Sequence, residues 1–227
     1  MDDRNAPPLN PLPPVVWLLA LPMIGLEAAF SLGERGMVGG AQAIGWRNAA
    51  IQSYGIWPDY WRQQVGAGAY SSDVLLRFFT YPFLHIDLTQ TIFAVVILLA
   101  LGKFVGEIFR WWALLAVFVA AQLVGAMVYL AVPGLQVPLF GAYPGVYGLI
   151  GAFTFLLWVR LAGTGANQLR AFQMIGFLLL VQLIFGVFFG GGWEWVADLP
   201  GFVTGFFLSF VVSPGGFGRV RDRLRQR

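Results

Sequence analysis

Residues 141–153 read GAYPGVYGLIGAF, a glycine-rich approach to an apolar run with Tyr143-Pro144 at its threshold. Proline suits the first positions of a helix, where its missing N–H has no intrahelical acceptor to lose, so the pair predicts a helix start and not a break. Gly141, Gly145, Gly148 and Ala152 then form a stripe of small residues. Such stripes let two membrane helices bring their backbones together, and Gly201 and Gly205 in the apolar run at 195–212 are the expected partners.

The composition requires a membrane. With 58% hydrophobic and 11% charged residues and a mean hydropathy of +0.72, a chain of 227 residues has too little polar surface to enclose a soluble core. Crossing a hydrocarbon layer of ~30 Å takes about 20 helical residues. Six runs qualify, at 15–32, 83–101, 111–132, 145–159, 172–189 and 195–212. None shows the ten-residue alternation of a membrane barrel, so the expected fold is all-α, a six-helix transmembrane bundle.

Charge sets the expected orientation, because Lys and Arg near helix ends stay on the cytoplasmic side. An even number of spans puts both termini on one side, and the final RVRDRLRQR carries five arginines against one aspartate. Lys103 and Arg110, then Arg160 and Arg170, fall on that inner side, whereas Asp87, Glu194 and Asp198 fall outside. The expected division is a disordered cytoplasmic tail at 1–14, a transmembrane domain at 15–213 and a basic cytoplasmic tail at 214–227. The acidic, proline-rich start lacks the basic lead of a signal peptide. The basic tail is read as a topology determinant and not as a nucleic-acid site. The destination is a plasma membrane, the inner one in a bacterium.

Between the first two runs, residues 33–72 interleave Trp46, Tyr54, Trp57, Tyr60 and Trp61 with arginines. Aromatic rings beside cations favour the headgroup layer, so this long outer loop is expected to lie partly in the interface.

The stretch RFFTYPFLHIDLTQTIFAVVILLALGKFVGE at 77–107 resembles the second span of the rhomboid family of intramembrane serine proteases, with Arg77, the Phe-Leu-His ending at His85, and the later Gly and Glu107 in place. GAYPGVYGLIGA resembles the family's Gly-Ala-Ser-Gly signature in the fourth span, and DLPGFVTG at 198–205 its His-x-x-Gly-x-x-x-Gly in the sixth. The resemblance implies the six-helix topology with a long first outer loop. It also implies a vestigial site. The family's nucleophilic Ser falls at Tyr143 and the Gly after it at Pro144, its general-base His at Asp198, and its oxyanion-binding His and Asn at Gln90 and Ala94. The catalytic side chains are all replaced, so the family's peptidase activity is expected to be lost. Tyr143 and Asp198 are expected to face each other, with the phenol donating to Asp198 or, failing that, to Gln90.

No other residues rebuild the chemistry. A serine nucleophile needs an adjacent base, and the chain has one histidine, His85, which the rhomboid pattern treats as structural. The one lysine, Lys103, lies at the inner end of its span. A phenol with an ordinary pKa near ~10 is not activated by a carboxylate near ~4. Without cysteine and with a single histidine, no metal and no cofactor are expected. Asp198, two residues before Pro200, reads as an N-cap. Glu27 within the first span is read as internally hydrogen-bonded or reaching for the interface, with proton holding or client pairing as functional alternatives. Gln122 and Gln182 are placed to bridge helices.

Three function classes follow: an inactive rhomboid-like protein that binds transmembrane segments of client proteins without cleaving them, an active rhomboid-type endopeptidase with a non-standard site, and a small transporter or channel. The last lacks inverted halves and has few midplane charges.

Overall fold

A computed structural model describes residues 11–68, 71–189 and 192–214; the side chain of Gln182 and the basic tail lie outside the described residues. Among those described, the chain is helical, with one isolated bridge pairing Ile56 and Leu139. Five helices are long and apolar enough to span: α1 (Pro14–Glu34), α5 (Leu88–Gly106), α6 (Trp111–Ala131), α7 (Tyr143–Thr164) and α9 (Trp195–Val212). The sixth expected span is α8 (Gln173–Phe189), whose 17 residues stand at the lower limit for crossing. Three short helices, α2 (Trp46–Tyr54), α3 (Pro58–Gly66) and α4 (Ser72–Thr80), occupy the stretch between α1 and α5.

Burial shows why these helices need lipid. Only 39–56% of each span's most apolar window is covered by protein. The rest, including Phe93 and Phe104 on α5 and Met127 on α6, is exposed hydrocarbon that water would not tolerate over so large an area. The protein is a multi-pass integral membrane protein.

The second span begins at Leu88, five residues later than its hydropathy suggests. Pro82 closes a 3-10 turn at Tyr81–Phe83, and Asp87 then caps α5 by accepting from the Gln90 N–H at 2.7 Å. Arg77 consequently belongs to α4, where it donates to the carbonyls of Gln52 and Gly55 at 3.0 and 2.9 Å and lies over the Tyr60 ring. Glu107 is the exposed C-cap residue of α5.

α7 is the hub, packing on α5, α6 and α9, while α1 packs on α5. A methyl group at Gly205 would collide with the Gly148 backbone, one at Gly201 with the Pro144 carbonyl, and one at Gly151 with the backbone of Phe202 and Phe206. Backbone therefore touches backbone along α7 and α9. Two of the expected stripe positions do other work. Gly145 receives the Phe118 ring of α6, and Gly141 precedes the helix with φ +100°, a conformation that side chains disfavour. Gly151, not singled out in the sequence, belongs to the α9 contact.

Two glycines should respond oppositely to added bulk. Gly205→Val should lower thermal stability in detergent by about 1–3 kcal/mol through overpacking. Gly25→Ala on α1, where a methyl would meet nothing within 4 Å, should be neutral or stabilising by up to about 1 kcal/mol.

Candidate functional site

The segments that precede α5 and α7 meet the start of α9 at one end of the bundle, where Tyr81, Leu135 and Leu139 pack with Val196 and Ala197. Ile56 and Leu139 exchange backbone hydrogen bonds at 3.0 and 2.8 Å, and Arg62 donates to the Leu135 carbonyl at 2.7 Å, so the α2–α3 segment is fastened to the approach to α7. The Gly141 N–H donates to the Tyr81 carbonyl at 2.8 Å. The turn that delivers Tyr143 is thereby held from both sides.

Tyr143 is the first residue of α7 and Pro144 the second. The ring is half-buried and packs on the main apolar core, and its hydroxyl donates to the backbone carbonyl of Gln90 at 3.3 Å. Of the two partners expected for the phenol, it is Gln90 that accepts the hydrogen bond, through its main-chain carbonyl. The Gln90 side chain is turned back, its Oε1 accepting from the Ile86 N–H at 2.9 Å, which completes the cap begun by Asp87. Ala94, one turn further along α5, is fully buried and supplies no donor.

Asp198 stands across the α7/α9 contact, since Gly201 on its helix abuts the Pro144 carbonyl. It is buried and close enough to Tyr81, Tyr143 and Tyr147 to act on each electrostatically. It is not the N-cap residue its spacing from Pro200 suggests. Glu194 occupies that position, α9 starts at Trp195, and Asp198 falls in the first turn, where the positive end of the helix still favours its charge. Tyr81, outside the spans, is kept a donor: burial, and then the Asp198 charge, push its phenol well above the ordinary value. Its hydroxyl bonds the carbonyl and Oε1 of Gln122, joining the Tyr81–Phe83 turn to α6.

His85 is 2% exposed and lies in the same corner. Its Nε2 accepts from the Ala142 N–H at 3.5 Å, the backbone amide immediately before α7. Burial holds the imidazole down to about 4, with the charge of Glu27 and a backbone hydrogen bond to Phe83 opposing only in part. A neutral ring whose lone pair is directed at an amide orients the helix start.

Beneath this corner lies an ion pair that the sequence did not disclose. Arg47 on α2 grips Glu27 on α1 in a two-pronged geometry, Nη1 to Oε2 at 2.8 Å and Nη2 to Oε1 at 2.9 Å, with both side chains buried. Ser31 and Thr91 donate to the two remaining carboxylate positions at 2.6 and 2.8 Å. Arg47 also donates to Glu34 at 2.7 Å and to the His85 carbonyl at 3.0 Å. The expectation that Glu27 is internally hydrogen-bonded holds. The tryptophan-rich segment offered a signal only in that Arg47 was one of its interleaved cations.

Two measurements test this corner. Arg47→Ala should cost about 3–5 kcal/mol by leaving Glu27 buried and unpaired, and the pair Glu27→Met, Arg47→Met should recover most of it, both read by thermal or denaturant unfolding. The folded-state pKa of His85 lies below its unfolded value. Its contribution is therefore complete above pH ~6.5 and is lost as pH falls toward 4, by up to about 1.4 kcal/mol per pH unit. As the chain has one histidine, ring-nitrogen NMR of the labelled protein should show a single imidazole that is neutral at pH 5.5.

The model of the Rhomboid domain family matches residues 72–215, more than half of the chain. No curated protein matches it. The match takes in α4 to α9 and with them the corner formed by His85, Gln90, Tyr143 and Asp198, and this membrane protein accordingly belongs to the rhomboid family.

Proposed function

We propose that this protein is a catalytically inactive rhomboid-like membrane protein that binds transmembrane segments of client proteins without cleaving them. The observation that carries the reading is Tyr143. At the position that resembles the family's nucleophile stands a phenol at a proline-supported helix start, its hydroxyl donating to the Gln90 carbonyl.

The surroundings support it. Acyl transfer needs a base to activate the nucleophile and donors to receive the developing oxyanion. The carboxylate of Asp198 is too weak a base for a phenol and would repel an oxyanion. His85 directs its Nε2 at the Ala142 amide. Gln90 spends its side chain on the start of α5, and Ala94 has nothing to donate. The Ser209 hydroxyl donates to the Gly205 carbonyl at 2.6 Å within α9.

A fold built to admit a helix from the bilayer keeps its lateral surface when the chemistry goes. In this reading both termini are cytoplasmic, in keeping with Lys103, Arg110, Arg160 and Arg170 at one end of the spans and Asp87 and Glu194 at the other. Residues 1–14 and 214–227 are tails flanking a transmembrane domain at 15–213.

A fluorophosphonate probe of serine hydrolases should leave the purified protein unlabelled, and in-membrane crosslinking should recover single-span proteins at full length. Labelling of the native protein, or substrate cleavage abolished by changes at Tyr143 or Asp198, would establish an active protease. Solute flux in liposomes would establish a transporter.

A further inference from the structure

A groove of about 340 Å³ opens sideways between α1 and α5. Ile24 and Ala28 line it on α1, and Leu88, Ile92 and Val96 on α5, with Glu27, Ser31 and Thr91 in its wall and Arg35 at its rim. No residue of α7 or α9 lines it, and nothing in the client-binding reading requires it.

We propose that this groove is a binding site for one anionic glycerophospholipid, with an acyl chain in the groove and the phosphate at Arg35. The first support is that the wall is mostly hydrocarbon. All four acceptor positions of the Glu27 carboxylate are taken by Arg47, Ser31 and Thr91, and both hydroxyls are spent as donors to it. What remains is apolar, and Ile24, Leu88, Ile92 and Val96 are each at least 40% exposed.

The second support is dimension. From Ile24 to Arg35 the wall runs about 16 Å along a helix at 1.5 Å per residue, which matches one leaflet of a ~30 Å hydrocarbon core.

The third support is charge. Glu34 and Glu27 both pair with Arg47, and Asp87 accepts from the Gln90 N–H. Arg35, exposed at the rim where α1 ends, makes no ion pair among the described residues. An exposed guanidinium without an ion pair, at the mouth of an apolar slot of leaflet depth, can hydrogen-bond a phosphate esterified to a lipid.

The test uses the full chain in phosphatidylcholine vesicles containing a minor fraction of phosphatidylglycerol with a photoreactive diazirine in one acyl chain. After illumination, adducts mapped by mass spectrometry should concentrate on the groove residues of α1 and α5 over the lipid-facing surface of α6 around Met127. Arg35→Gln should lower groove labelling about fivefold, the factor that corresponds to about 1 kcal/mol for one basic residue at a membrane surface. Ala28→Trp, at an exposed position, should fill the slot and remove groove labelling while leaving that of α6 unchanged. The same diazirine on phosphatidylcholine, whose headgroup carries a compensating cation, should show a weaker groove preference than on phosphatidylglycerol. Even labelling of both surfaces, indifference to Arg35→Gln, or a single-span peptide crosslinked at the groove in place of lipid would overturn the proposal.

Discussion

The arrangement rests on a charge that has no right to be in a membrane helix unless it is neutralised. Glu27 lies within α1, one turn and more from its end, and an unpaired carboxylate there would cost several kcal/mol in desolvation. Arg47 matches it prong for prong, and Ser31 and Thr91 complete its shell. Because the guanidinium is planar and its donors point in fixed directions, satisfying Glu27 also fixes where α2 must sit on α1. The same guanidinium takes the His85 carbonyl, so the pair reaches the turn between α4 and α5. Such a pair is weak evidence for net stability. Its value lies in register: one arrangement satisfies every partner, and slippage strands a charge.

From His85 the constraint passes to α7. The ring accepts from the Ala142 amide, the Tyr81 carbonyl accepts from Gly141, and the chain turns into its helix at Tyr143. Gly141 makes that turn possible with a backbone conformation that other residues disfavour. Below it, α7 and α9 lie so close that Gly148 and Gly205 touch through their backbones. This contact sets Asp198 opposite the start of α7. The rim and floor of the corner are therefore held by different interactions, one polar at the helix ends and one of bare backbone packing within the span.

Tyr143, Pro144, Gln90, Ala94 and Asp198 fit coherently into such a frame. Proline is accommodated at the second position of α7 because no hydrogen bond is lost there. The phenol finds a carbonyl, Gln90 joins the cap of α5, and Asp198 lies in the first turn of its helix. Tyr143, Pro144, Gln90 and Asp198 are each accommodated by the helix end they occupy.

The sequence by itself determined the features that depend on counting along the chain. Hydrophobic runs of span length, small residues in stripes and the Tyr143-Pro144 helix start are local, and their physics is that of helix length and helix termini. The same locality explains the errors. Hydropathy ran the second span back to residue 83 because Phe83 and Leu84 are as apolar as a span, whereas Asp87 decides the start by capping it. Asp198 resembled a cap because Pro200 follows, but Glu194 lay one turn earlier. Only the tertiary structure decided what meets across distance. The grip of Arg47 on Glu27 joins residues twenty apart, the His85 ring meets an amide fifty-seven residues away, and Gly151 outranks Gly145 at the α9 contact. A sequence shows that a buried charge needs a partner and that a small residue permits an approach, but which partner arrives is set by how the helices pack.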